Sequence, residues 1–154
     1  MTWINACPPW VPSRERGRTM KIDGGCLCGE VTYEAEIDPD KVGLCHCTDC
    51  QTLSGSAFRI GVSVEEELFE MTSGEPKIFI KTAESGAKRS QAFCPECGTH
   101  IYSTGVEDGP KIYRIRVSTS RQRNDLPPKA QIWFRSAQLW VTELDSVRRV
   151  EKQI

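Results

Sequence analysis

The sequence predicts a mainly β protein with little helix. From residue 30 onward, Val, Thr, Tyr, Phe and Ile alternate with polar residues in short segments separated by Gly, Pro and Ser. Sustained helical periodicity is nearly absent. Hydrophobic residues make up 38% of the chain and charged residues 27%, which is enough apolar material for one modest core.

The strand pattern occurs in eight segments: residues 30–37, 57–63, 68–73, 78–81, 88–93, 100–103, 111–118 and 131–134. Helix is expected only as a turn or two over residues 47–54, directly after the central cysteines, and as a marginal stretch over residues 143–152. The length of 154 residues predicts one domain, because a single core commonly organises roughly 100 to 200 residues.

Residues 1–19 differ in character from the rest of the chain. They contain Pro8, Pro9, Pro12 and several Arg without apolar alternation, so we expect an unpacked leader. Met20 is followed at once by patterned sequence, which favours translation from Met20 and an upstream extension before it. The predicted folded domain therefore spans residues 20–154.

The charge balance and hydropathy exclude several classes of function. The 20 Lys and Arg against 21 Asp and Glu provide no broad basic field to attract nucleic acid or an anionic membrane. No run of the ~18 apolar residues that span a bilayer occurs, and the N-terminal stretch lacks the apolar region of a secretion signal. We expect a soluble, cytoplasmic protein that binds neither nucleic acid nor membrane.

The eight cysteines then favour metal ligation over disulfides, because cytosolic thiols are kept reduced and thiolates bind zinc tightly. Cys94 and Cys97, followed by Gly98, form a CPxCG knuckle whose Pro and Gly turn the backbone so that two sulfurs face one ion. Cys26 and Cys28 lie between two glycines and provide the second pair. Four thiolates complete a closed structural zinc site, which would cross-link distant parts of the domain.

The central cluster, Cys45, Cys47 and Cys50, offers three sulfurs. Three protein ligands are the number at which zinc keeps a position open to water or substrate, so the cluster predicts a second, open zinc site. Two alternatives are a structural site closed by His46 or His100, and reduced thiols that only pack. The sequence thus predicts two zinc ions per chain.

The remaining candidates have weaker patterns. His46 sits between two predicted ligands on a short loop, so we expect its side chain to point away from the metal. His100 opens a strand and is expected to be a packed, hydrogen-bonded residue. Cys7 falls in the leader and is assigned no role.

Three motif blocks resemble a known family. GGCLCGEVTYE (residues 24–34), CHCTDCQTLSGSAF (45–58) and FCPECGTHIY (93–102) are similar to the signature blocks of the glutathione-dependent formaldehyde-activating enzymes, a family that includes centromere protein V-like proteins. The resemblance covers about residues 20–140. It implies a β-tent of small antiparallel sheets, structural zinc on Cys26, Cys28, Cys94 and Cys97, and a catalytic zinc on Cys45, Cys47 and Cys50.

The resemblance also implies a reaction. It is the condensation of glutathione with formaldehyde to S-(hydroxymethyl)glutathione, formally a carbon–sulfur lyase reaction that runs in either direction. Gln51, Ser54 and Ser56 follow the open site and are candidate hydrogen-bond donors to substrate, with helix-end and turn hydrogen bonding as the alternative. Basic residues on predicted strands are candidates to pair with carboxylates of glutathione, although alternating charges are usually a solvated face: Arg59, Lys88, Arg89, Arg114 and Arg116.

The first hypothesis is therefore an enzyme, a zinc-dependent carbon–sulfur lyase that handles the adduct of a thiol, such as glutathione, with a small aldehyde. A second hypothesis is a non-catalytic, zinc-stabilised β scaffold that binds a protein partner. Trp133, Phe134 and Trp140 are aromatic candidates for such an interface, with packing in the core or over a sheet as the alternative.

Overall fold

The computed structural model describes residues 17–153, which form ten strands and one α-helix. The helix, α1, spans Thr48–Ser54. The strands, in chain order, are β1 Met20–Gly25, β2 Thr32–Ile37, β3 Val42–Cys45, β4 Arg59–Glu65, β5 Phe69–Ser73, β6 Lys77–Thr82, β7 Lys88–Phe93, β8 His100–Gly105, β9 Ile112–Arg116 and β10 Ala130–Ile132.

The strands build two sheets. The smaller has the order β1-β2-β5, and the larger has the order β10-β3-β4-β9-β8-β7-β6. Every pairing is antiparallel except that of β10 with β3, which is parallel. No helix in the described part of the chain is both long and apolar enough to cross a membrane.

The core lies between the small sheet and one face of the large sheet. Because side chains alternate across a strand, β4 and β9 each send every second residue into it. Val62 lies opposite Ile115 in the register, and both are fully buried with Tyr33 and Ile37 of β2. Full burial of one such aliphatic side chain contributes about 1.5–3 kcal/mol of transfer free energy, so this seam holds the two sheets together.

The other face of the large sheet is polar. Arg59 and Gly61 of β4, Arg114 and Arg116 of β9, and Gln91 of β7 share this face by register. A Cβ on Gly61 would lie 2.8 Å from Cγ of Arg114, so the glycine leaves the space across which the Arg114 side chain lies.

Two ion pairs bring the edges of the large sheet together. Lys81 of edge strand β6 contacts Asp49 of α1 at 2.5 Å, and Arg135, after edge strand β10, contacts Glu84, after β6, at 3.1 Å. The segments that follow the two edge strands therefore lie close to each other.

The prediction of a mainly β fold with little helix is confirmed, as is the helix over residues 47–54. Two strands were not predicted. β3 has four residues, all buried, and includes a glycine, so it lacks alternation; β1 ends in two glycines and is defined by its pairing with β2.

The predicted helix over residues 143–152 is wrong. A 3-10 helix covers Leu139–Ser146, with Glu143 outside helical dihedral angles, and residues 147–153 form no helix. Leu144, Val147 and Val150 are all exposed, so no buried apolar face stabilises an α-helix there. The predicted leader lies for the most part outside the described residues, and the boundary at residue 20 stays a prediction.

Candidate metal centres

The first candidate centre joins the two sheets. Cys26 and Cys28 follow β1, Cys94 and Cys97 lie in the turn between β7 and β8, and all four sulfurs lie within 4.8 Å of one another. The Cys26–Cys28 and Cys28–Cys94 sulfur distances are 3.5 and 3.7 Å. A tetrahedron with Zn–S bonds of about 2.3 Å has edges of about 3.8 Å, so the cluster has the dimensions of a closed zinc site.

Backbone hydrogen bonds fix both pairs. The Gly98 N–H donates to the Cys94 carbonyl at 2.9 Å, and Gly98 has φ of 74°, a left-handed conformation that glycine adopts without a steric penalty. In the other pair, the Val31 N–H donates to the Cys26 sulfur at 3.2 Å. The Leu27 N–H donates to the Thr99 hydroxyl at 3.1 Å, and this hydrogen bond links the segment of Cys26 and Cys28 to the segment of Cys94 and Cys97.

The sulfurs of this centre share protons unequally. Hydrogen bonds from the Thr99 hydroxyl and backbone N–H lower the pKa of Cys97 to about 5. At Cys28 the backbone N–H of Glu30 favours the thiolate, but the neighbouring sulfurs of Cys26 and Cys97 outweigh it and raise the pKa to about 12. A metal that binds all four sulfurs must displace the remaining protons, so its affinity rises with pH.

The second candidate centre lies where β3 meets α1. Cys45 ends β3, Cys47 is the N-cap of α1 and accepts a hydrogen bond from the Cys50 N–H at 3.4 Å, and Cys50 lies in the first turn. The three sulfurs lie within 4.8 Å of one another. In residues 17–153 no His, Asp or Glu joins them within that distance. Cys7 lies outside the described residues.

The two histidines lie elsewhere. His46 is fully buried and its side chain is turned to β10, where Nε2 lies 2.8 Å from Oε1 of Gln131 and the ring meets Phe58 and Phe134 edge-on. His100 stacks on Phe93 of β7 at a centroid distance of 5.7 Å. This geometry does not favour the alternative in which either histidine closes the site.

The negative charge of the second centre concentrates on one sulfur. Hydrogen bonds from the Cys45 and Cys47 thiols lower the pKa of Cys50 to about 2, burial opposes them, and the charges of Arg59 and Arg116 add to the lowering. Hydrogen bonds with Cys47 and Cys50, together with burial, raise the pKa of Cys45. Guanidinium groups thus face the sulfur cluster from the polar face of the large sheet.

The polar residues after the cluster support its backbone. The Gln51 amide donates to the carbonyl oxygens of His46 at 2.6 Å and Ser136 at 2.9 Å, and accepts from Gln138 at 3.0 Å. Ser54 donates to the Gln51 carbonyl at 3.3 Å and accepts from the Ser56 N–H at 3.3 Å. These contacts match the alternative of helix-end and turn hydrogen bonding.

The arginines on the polar face are not fully solvated, as charges on alternating strand positions usually are. Arg116 is only 5% exposed, and Arg59 and Arg114 are half-buried. Sequence reasoning also missed Gln91, which is 1% exposed and accepts hydrogen bonds from both Arg59 and Arg116 at 3.2 Å. Only the strand register shows that Gln91, Arg59 and Arg116 share one face. Alternation along a single strand does not show which residues of other strands lie next to it.

The aromatic candidates lie outside the core. Phe134 packs edge-on against His46, and Arg135 lies 4.7 Å over the Trp133 ring. Trp140 is 54% exposed. Phe134 thus packs against the residue between Cys45 and Cys47.

The fold and these clusters define a class, a mainly β protein with two candidate sulfur metal centres. The family model of the glutathione-dependent formaldehyde-activating enzyme matches residues 21–136, and the chain belongs to that family. An uncharacterized lyase of Schizosaccharomyces pombe is 28% identical over 82 residues, which are 53% of this chain and 56% of the relative. The match thus spans about half the length of that curated relative.

A solved structure has the same fold. The crystal structure of a Rhodobacter sphaeroides protein superposes with a TM-score of 0.55 at 18% identity, covering 71% of this chain and 98% of the other. The sulfur-rich donor sets fit the zinc that the family implies.

Proposed function

We propose that the chain is a zinc-dependent carbon–sulfur lyase that handles the adduct of a thiol with a small aldehyde, with glutathione and formaldehyde as the leading pair. The observation that carries the proposal is the cluster of three sulfurs without a fourth Cys, His, Asp or Glu ligand among residues 17–153. In this proposal the protein holds two zinc ions and works in the cytoplasm, where its thiols stay reduced.

The two centres have different roles in this proposal. Cys26, Cys28, Cys94 and Cys97 hold a structural zinc, and Cys45, Cys47 and Cys50 hold the catalytic one. A zinc with three protein ligands supplies a Lewis-acid position at which a thiol loses its proton near neutral pH. The cluster would hold the zinc beside the polar face of the large sheet, since Arg59 lies opposite Cys45 in the register.

The chemistry balances without an oxidant or reductant. In the forward direction the thiol sulfur forms a bond to the carbonyl carbon, and the proton that leaves sulfur ends on the new hydroxyl oxygen. In the reverse direction the carbon–sulfur electron pair returns to sulfur while the hydroxyl proton is released and the carbonyl re-forms. The guanidinium groups beside the cluster favour the anionic sulfur and oxygen that occur in both directions.

Cobalt substitution tests this proposal. Purified protein is expected to bind close to two zinc ions, and after replacement by cobalt, glutathione is expected to shift the visible spectrum of one of the two. In parallel, exchange between free and thiol-bound ¹³C-formaldehyde, followed by NMR, should be faster with zinc-loaded protein than without it. A spectrum that glutathione leaves unchanged would remove the main support for the proposal.

A non-catalytic scaffold is the second candidate. It is favoured by the exposed apolar side chains that follow β10, among them Leu139 at 87% and Trp140 at 54% exposure. In that case two zinc ions bind, but glutathione does not perturb either of them and formaldehyde exchange is not accelerated.

A further inference from the structure

Strand β6 forms an exposed, apolar edge of the large sheet. Within residues 17–153 it pairs with β7 alone. Its three central residues, Ile78, Phe79 and Ile80, are 45%, 52% and 53% exposed. An edge strand leaves the N–H and C=O groups of every second residue without a partner strand, so β6 combines open hydrogen-bonding groups with apolar side chains. An edge of this kind accepts a further strand.

The other sheet edges in the described part of the chain lack this combination. β10 has only three residues, and Trp133 directly after it has φ of 56°, outside the strand conformation. In β1, the apolar Ile22 is buried and lies between charged residues. In β5, the exposed residues are polar: Glu70, Thr72 and Ser73. Charged and polar side chains are the usual protection of an edge, and the centre of β6 is without them.

The sequence of β6 is complementary to itself. Residues 77–81 read Lys-Ile-Phe-Ile-Lys in either direction. In an antiparallel pairing of two copies about Phe79, this residue lies opposite its counterpart, and Ile78 lies opposite Ile80 of the second copy. Two-fold contacts have this property, because they use the same patch on both subunits. Ile78 also lies opposite the buried Ala92 of β7, so the isoleucines of both copies would form one apolar strip on that side.

The charges at the ends of β6 fit the same pairing. Lys77 would lie opposite Lys81 of the second copy, and like charges in that position are unfavourable. Lys81, however, contacts Asp49 at 2.5 Å, and the Asp49 side chain is half exposed, so a carboxylate lies beside the two ammonium groups. Neighbouring registers would place a lysine opposite an isoleucine or the phenylalanine, which disfavours them.

We propose that β6 is the docking edge for a second copy of this chain, with the two large sheets joined in antiparallel fashion about Phe79. The proposal is independent of the proposed function, since β6 contains none of the clustered cysteines. Phe79 lies opposite Gln91 in the register, so the polar faces of both copies would lie on one side of the joined sheet. A contact centred on one strand pair is small, and we therefore expect a reversible dimer.

Sedimentation velocity tests the proposal. Zinc-loaded wild type in reducing buffer, measured over a concentration series up to the millimolar range, is expected to change from monomer to dimer. Phe79→Lys and Phe79→Glu each place two like charges opposite one another, so each is expected to weaken self-association at least about tenfold. Since Phe79 is half exposed, both variants should melt within a few degrees of the wild type.

Mixing the two variants tests the register. An equimolar mixture of Phe79→Lys and Phe79→Glu brings opposite charges together at the centre of the pair and is expected to restore the dimer. This restoration occurs only if residue 79 of one copy faces residue 79 of the other. A mixture that remains monomeric would overturn the pairing about Phe79.

Ile112→Lys is the matched control. Ile112 is an apolar residue of similar exposure, but it lies on β9, an inner strand of the same sheet. This variant should associate like the wild type. A wild type that stays monomeric over the whole series, or a dimer that both Phe79 variants retain, would overturn the proposal, and the wild-type measurement stands even if a variant fails to fold.

Discussion

Cys97→Ser is expected to unfold the protein at ambient temperature. Cys97 is exposed, so its replacement by serine removes almost no packing, and its effect should arise from loss of the structural zinc alone. The four-sulfur centre joins the end of β1 to the turn between β7 and β8, across 66 residues from Cys28 to Cys94. Structural zinc contributes on the order of 10 kcal/mol of apparent free energy, which is comparable to the whole stability of a domain.

The measurement is thermal unfolding by circular dichroism together with zinc content. Cys97→Ser should bind at most one zinc and show no cooperative transition. Leu27→Ser is the control, because Leu27 is 90% exposed between Cys26 and Cys28, and its loss should change stability by less than about 0.5 kcal/mol. A Cys97→Ser protein that melts like the wild type would show that the four-sulfur centre does not hold the fold together.

Cys47→Ser is expected to have the opposite outcome, a folded protein without activity. The Cys47 sulfur caps α1 by accepting from the Cys50 N–H, and a serine oxygen is a preferred helix cap, so the local backbone should survive. The second zinc loses one of three protein ligands. Since a metal supplies several kcal/mol of transition-state stabilisation, we expect thiol-dependent formaldehyde exchange to fall by at least about 100-fold.

Zinc content, melting temperature and exchange rate together check this prediction. The variant should retain about one zinc and melt within a few degrees of the wild type. Thr48→Ser, a change at the neighbouring exposed position of α1, is the control and should keep both zinc ions and full activity. Undiminished activity in Cys47→Ser, or loss of both zinc ions, would contradict the division of the seven cysteines into two centres.

The cysteine clusters could be predicted because their signals are local. The CPxCG knuckle and the run Cys45, Cys47, Cys50 show their spacing within a few residues, and the structure brings each set of sulfurs within 4.8 Å. The orientation of His46 away from the sulfurs could also be predicted from the local sequence, since successive side chains on extended backbone point to opposite sides and His46 lies between Cys45 and Cys47. The roles of the seven clustered cysteines as zinc ligands remain predictions.

What could not be predicted depends on distant pairing. Strand β3 is recognisable only through its neighbours β4 and β10, because four buried residues show no alternation. The group around Gln91 likewise joins Arg59 to Arg116 through strands far apart in sequence. The helix predicted over residues 143–152 was wrong because the spacing of its apolar residues allows a helix, but no part of the described chain buries them.

Zinc K-edge X-ray absorption tests the central claim most directly, namely that one centre is closed by four sulfurs and the other is open with three. The average for fully loaded protein should then be about 3.5 sulfurs per zinc, half of the sum of four and three, with a light atom in the remaining position. Saturation with glutathione should raise the average to about 4. A value of about 4 before addition of the thiol, or of 3.5 that glutathione leaves unchanged, would contradict the account.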